Sequence, residues 1–135
     1  MDVNDKTLQA LAAAAKFREM RQEVISSNIA NSEVPGYKAK RLDFEEALAR
    51  ALDVDGELTM KMGDQRHFNV GSGGFNNLEP SVRESTNGVV DETGNTVDVQ
   101  DEMARQAENK IMYDAIVQLM NKKLGLMKYV VNSER

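Results

Sequence analysis

The chain has 135 residues, of which 29% are charged and 5% aromatic, with no Trp, no Cys and a net charge of −5. That length suits one domain or one small core with appendages, and the balance favours long solvated helices over a dense aromatic core. With that charge and no basic patch carrying interleaved aromatics, no nucleic-acid partner is expected, and without cysteine it has no disulfide, thiolate nucleophile or Cys-ligated metal.

The charge is unevenly placed. Residues 1–31 carry four acids and four bases, residues 98–135 carry six of each, and residues 32–97 carry twelve acids and seven bases. The surplus therefore sits in the centre, and neutral ends of mixed sign can pack against copies of themselves without large repulsion. The pattern divides the chain into an N-terminal helix (1–31), a central segment (32–97) and a C-terminal helix (98–135). The start, Met1-Asp2-Val3-Asn4-Asp5-Lys6, lacks the basic region and apolar run of a secretory signal, and no apolar stretch approaches a membrane span. Work outside the cytoplasm would need another export route.

A first helix is expected from Asn4 or Asp5 to Asn28 or Ala30, with Asp5 as N-cap and helix-forming Ala10 to Ala15. At 100° per residue Leu8, Leu11, Ala15, Ile25 and Ile29 fall on one side, and Ala13, Phe17, Met20 and Val24 on another. A surface helix usually shows one apolar stripe, so two imply contacts on two sides. Asn31 to Gly36 end the helix: Pro35 pushes Val34 out of helical geometry, and Gly36 permits a turn with positive φ.

Asp43 and Glu46 have the spacing of a capping box for a short helix, Phe44 to Leu52, ended by Asp53-Val54-Asp55-Gly56. Leu58, Met60 and Met62 alternate as a strand does. Gly71 to Gly74 and Asn76-Asn77 read as loop, Val82 and Val89-Val90 as short strands, and Thr93-Gly94-Asn95 as a turn. Asp98 is the expected N-cap of the last helix, with acids Asp101 and Glu102 at its start and Lys122, Lys123, Lys128 and Arg135 towards its end. Tyr113, Val117, Met120, Leu124, Met127 and Val131 recur at four- and three-residue steps, a coiled-coil seam. Met112, Ile116, Leu119, Leu126 and Val130 form a second line broken by Lys123. The expected fold is mainly α, with long terminal helices pairing as a coiled coil around a small irregular and β central segment.

Chemistry is hard to place. A hydrolytic scheme would have to use the single His67, which lies in a Gly- and Asn-rich stretch. No P-loop, dinucleotide Gly pattern or His-Glu-x-x-His is present, and Asp53-x-Asp55-Gly56 lacks the remaining ligands of a calcium loop. Glu45-Glu46 and Asp101-Glu102 are ordinary acids of helix starts. No catalytic residue, metal, cofactor or small-molecule substrate is implied.

The stretch Asn28-Ile29-Ala30-Asn31-Ser32-Glu33-Val34-Pro35-Gly36-Tyr37-Lys38 resembles the N-terminal motif of the flagellar rod, hook and hook-associated axial proteins. Val34 stands where that family usually has Thr, so a hydroxyl contact would be lost. Gly94-Asn95-Thr96-Val97-Asp98, followed by Glu102-Met103-Ala104, resembles the start of the C-terminal helix in the proximal-rod members. The chain has no room for the large inserted β domains of the distal rod and hook, and it lacks the Gly-Tyr-Val and Pro-Asn-Val block of the small member FlgC. The resemblance implies a structural rod subunit whose Leu8, Leu11, Phe17, Met20 and Val24, with the C-terminal seam, pack against neighbouring subunits. It implies other copies, other rod proteins, the adaptor FliE and the inner-membrane MS ring as partners. It further implies delivery unfolded through the flagellar type III export apparatus to a basal body in the periplasmic space, with no cleaved signal peptide.

Overall fold

The structure, a computed structural model, describes residues 6–53, 75, 78–85 and 89–134. In chain order these form α1 (Lys6–Ala30), β1 (Lys40–Asp43), α2 (Glu45–Asp53), β2 (Ser81–Glu84) and α3 (Val99–Ser133). The alternating segment at Leu58 to Met62, His67, the Gly71–Gly74 loop and the N-cap at Asp5 lie outside the described residues.

The two long helices pack antiparallel. Asn28, near the end of α1, meets Glu102 at the start of α3, and Glu19 meets Tyr113. α1 has thirteen residues before Glu19, whereas α3 has twenty beyond Tyr113, so the end of α3 runs past Lys6. Asp98 caps α3 as expected, its carboxylate accepting from the backbone N–H groups of Gln100 and Asp101. Its last turn carries no base, because the helix ends at Ser133, more than a turn after Lys128.

The buried line of α3 runs Glu102, Gln106, Asn109, Tyr113, Ile116, Met120, Lys123, Met127 and Val130, each buried or half-buried. Its steps alternate between four and three residues, the spacing of a coiled-coil seam. It shares Tyr113, Met120 and Met127 with the expected seam but takes Ile116, Lys123 and Val130 in place of the residues that follow them. Val117 stays half-buried, while Leu124 and Val131 are exposed. A lysine can cover apolar surface with its stem and keep its ammonium in water, so Lys123 does not break the line.

The second stripe of α1 is covered by the chain itself. Phe17, Leu42 and Phe44 form the core, with Ala13, Met20, Val24, Leu48 and Leu78 packed against it. The Phe17 and Phe44 rings stack with centroids 5.3 Å apart. Arg21 lies over the other side of this cluster, its guanidinium 4.4 Å from the Phe44 centroid, donating twice to the Leu42 carbonyl and pairing with Glu45.

β1 and β2 form an antiparallel ribbon with Lys40 opposite Glu84 and Asp43 opposite Ser81. β1 was not expected, since its four residues Lys40-Arg41-Leu42-Asp43 hold one apolar side chain. Of the expected strands, Val82 lies in β2 and Val89-Val90 forms no strand with the described residues. The capping box does not form. Asp43 binds Arg83, Glu46 binds Arg50, and the Phe44 N–H donates to the Glu45 carboxylate.

Glu45 gives the fold a pH dependence. Partial burial pushes its carboxyl up, but the Arg21 guanidinium and the N–H groups of Glu45 and Phe44 outweigh this and hold it at about 2, below its ordinary 4.5. A carboxyl depressed on folding stabilises the native state above its unfolded pKa and loses that contribution as pH falls through the folded value. Wild-type stability, measured by urea denaturation, should therefore fall between about pH 4.5 and about pH 2, and Arg21→Met should flatten that decline. Phe17→Ala, which empties the core, should cost about 3–5 kcal/mol at neutral pH.

Candidate functional site

Both sequence motifs converge where α1 ends, β1 begins and α3 starts. The centre of this joint is the carboxamide of Asn28, fully buried. Its Nδ2 donates to the Lys40 carbonyl at 2.8 Å and to Glu102 Oε2 at 3.2 Å. Its Oδ1 accepts from the Lys40 N–H at 2.9 Å and from the Tyr37 hydroxyl at 3.2 Å. A carboxamide has two donor hydrogens and two acceptor sites, and all four are used. Glu102 is as deeply buried and is neutralised by Arg41, which also reaches Asp101. One side chain thus ties the helix end to the strand and, through Glu102, to the last helix.

Asn95 builds the neighbouring layer. Its Nδ2 donates to the Asn31 and Val34 carbonyls at 2.9 and 2.8 Å, and its Oδ1 accepts from the Val97 N–H. The Thr96 hydroxyl accepts from the Ala39 N–H, and the Thr96 N–H donates to the Tyr37 carbonyl. Val34 contributes through its backbone, and its side chain is exposed. Asn31 donates from both its backbone N–H and its side chain to the Ser27 carbonyl in the last turn of α1.

Gly36 has φ of 75°, and its N–H donates to Thr93 O at 2.9 Å. Gly94, with φ of 83°, approaches it so closely that a Cβ there would sit 3.6 Å from Gly36 Cα. The turn after α1 and the turn before α3 are therefore stacked on each other. Ile29 is half-buried, whereas Ala30 and Pro35 face outwards.

The packing residues fall into separate groups. Phe17, Met20 and Val24 belong to the core, and Leu8 and Leu11 are half-buried along α1. Tyr113, Val117, Met120 and Met127 are half-buried on α3. Exposed apolar side chains gather on α3: Ile111, Met112, Leu119, Leu124, Leu126, Tyr129 and Val131. Met112, Leu119 and Leu126 are seven residues apart, two helical turns, and so lie in one row. Glu102 and Asn109 were missed as interior groups, because an acid or amide on a charged helix reads as surface. Among the described residues no helix is long and apolar enough to cross a membrane, and no side-chain group could hold a metal ion.

Long terminal helices joined by these two motifs define a flagellar axial subunit, and comparison with known proteins agrees. A family model for flagella basal body rod proteins matches residues 8–38. The flagellar basal body rod protein FlgB of Bacillus subtilis is 34% identical over 97% of both chains. That of Aeromonas hydrophila is 35% identical over 92% of both, and that of Escherichia coli is 28% identical over 98% of both. The chain belongs to the FlgB family of flagellar basal body rod proteins and is a structural subunit of that rod rather than a FlgC-type member.

Asn28→Ala should orphan the Lys40 N–H and carbonyl and leave Glu102 without its amide donor. Buried orphans cost roughly 1–3 kcal/mol each, so a loss of about 3 kcal/mol is expected in chemical denaturation. Gly36→Val meets no atom within 4 Å and so isolates the backbone cost of φ at 75°. It should destabilise by about 1–2 kcal/mol, and Gly36→Asn by less. Rod assembly in cells should be impaired more by Val than by Asn at this position.

Proposed function

We propose that the chain assembles into the proximal rod through its terminal helices, residues 1–31 and 98–135, with residues 32–97 as a central segment that orients them. The observation carrying this reading is the row Met112, Leu119 and Leu126, with Leu124 and Val131, left uncovered on α3. Side chains of this size stabilise by about 1.5–3 kcal/mol each when fully buried. Neither long helix concentrates its apolar residues on one side, whereas α2 does. A helix apolar on several sides is satisfied by several neighbours.

In this reading the partners are other copies of the chain, other rod proteins, the adaptor FliE and the inner-membrane MS ring. The export apparatus delivers the chain without a cleaved signal peptide to a basal body in the periplasmic space. The role is mechanical: no step of catalysis, cofactor binding or nucleic-acid recognition belongs to it. The relatives named above support the rod itself, and the uncovered row supports packing between subunits.

Leu124→Asp tests the assignment. Leu124 is 47% exposed, so the change should alter the stability of the isolated subunit by no more than about 0.5 kcal/mol. In cells whose only copy carries the substitution, basal bodies should lack a complete rod and swimming should be lost. Normal swimming would remove Leu124 from the contact between subunits.

A further inference from the structure

A cleft of about 270 Å³ opens where α1, the ribbon and the first turns of α3 meet. Six bases line it: Arg18 and Arg21 from α1, Lys40, Arg41 and Arg83 from the ribbon, and Arg105 from α3. The acids lining it are Asp43, Glu45 and Glu108. Asp43 is bound by Arg83 and Glu45 by Arg21, while Arg41 and Arg105 share Asp101 and Arg41 also binds Glu102.

Arg41 and Arg83 stand directly opposite each other across the ribbon, each offset by its own acid, Arg41 by Glu102 and Asp101 and Arg83 by Asp43. Arg18 makes no ion pair with a described residue, and its buried Nε has no acceptor in the protein. Arginine forks suit the capture of carboxylates by paired hydrogen bonds. Arg83 and Arg105 are about half exposed and keep donors at the surface for such a ligand.

The same molecule carries the complement. The turn after α1 and the turn before α3 carry the acids Glu33, Asp91 and Glu92 against one base, Lys38. The stacked turns around Gly36 and Thr93 lie beyond Asn28 at one end of the described helix pair, and Glu33 and Glu92 are exposed there. Neither carboxylate is ion-paired with a described residue. Each is therefore available to a partner, and the partner it fits is a concentration of arginines.

We propose that the acidic tip of one copy, Glu33 with Glu92, docks into the arginine cleft of a second copy. This rests on the reading of the chain as a rod subunit and adds a specific polar contact to it. Tip and cleft are different surfaces, so the contact is head-to-tail. Such contacts propagate into open helical filaments unless the rotation happens to close a ring.

Sedimentation of the purified full chain at low salt tests the contact. E33K/E92K and R83E/R105E should each weaken association about tenfold or more, and the chain carrying all four changes should regain it. High salt should weaken the wild type in the same way. Circular dichroism should match the wild type in every variant. A second measurement leaves these charges in place. The chain has no cysteine, so Val34→Cys at the tip and Ser85→Cys in the cleft give unique thiols. Mixed in equal amounts and oxidised, they should form the mixed dimer in excess over either homodimer.

The contact is overturned by unchanged association of the folded double variants, by failure of the folded quadruple variant to recover, by no excess of mixed dimer, or by a wild type that stays monomeric at its highest soluble concentration. Swimming by both charge variants alongside a non-motile Leu124→Asp would discard the tip and cleft and leave helix packing intact. Swimming by Leu124→Asp would strike the helix reading instead.

Discussion

The buried carboxamide of Asn28 is the constraint on which the rest of the structure hangs. β1 enters the fold with one edge on β2 and the other towards α1, and that second edge has unpaired backbone groups. Asn28 binds both polar groups of Lys40, and Arg21 binds the Leu42 carbonyl, so two side chains of α1 act as the missing strand. An unpaired strand edge is costly when buried and promotes aggregation when exposed. By closing it, α1 holds the ribbon against itself, and Leu42 and Phe44 then fall onto Phe17. Without the amide, the Lys40 groups on that edge would be left unpaired.

The same amide explains how a carboxylate survives in the interior. Glu102 has no exposed surface, and an isolated buried charge would be prohibitive. Here it sits between Arg41 and the Asn28 donor, at the first turn of α3 where free N–H groups and the helix dipole favour negative charge. Farther along, Asn109 donates to the Arg18 carbonyl at 2.8 Å, and Tyr113 donates to Glu19. One half of the helix pair is thus held by directional polar contacts, which fix register as a polar residue in a coiled-coil seam does. Farther along α3 the buried line from Ile116 to Val130 is largely apolar and less particular about its partner.

Much of this fold was legible in the sequence, for reasons that differ by element. The long helices were readable because periodicity and the Asp98 cap act locally. The turn at Pro35-Gly36 was readable because only certain residues tolerate its backbone. β1 was not, because its stability comes from Asn28, Arg21 and β2 rather than from Lys40-Arg41-Leu42-Asp43. The choice of seam failed at Lys123, where charge was weighed against burial while the aliphatic stem decided the matter. Asn28 and Glu102 each lie within a motif that was recognised, but that they meet is a property of antiparallel packing, which no local pattern records. The two stripes on α1 were read correctly as two contact surfaces, yet both partners proved to lie in the same chain: α3 on one side and the central segment on the other.

That last outcome changes where the apolar excess lies. If α1 is satisfied by its own chain on both sides, then of the two long helices it is α3 that keeps uncovered large apolar side chains, from Met103 to Val131. The end of α1 is locked by polar contacts and its turns carry Glu33, Asp91 and Glu92 against Lys38, whereas α3 beyond Tyr113 carries exposed Leu119, Leu124, Leu126, Tyr129 and Val131. An object built this way is not symmetric end to end. Copies that bury α3 against one another while keeping like-charged tips apart must be staggered along the helix axis, since level packing would place Glu33 and Glu92 of every copy side by side. A staggered array is a helix, and the distribution of charge and apolar surface along one subunit therefore already favours a helical rod over a flat ring.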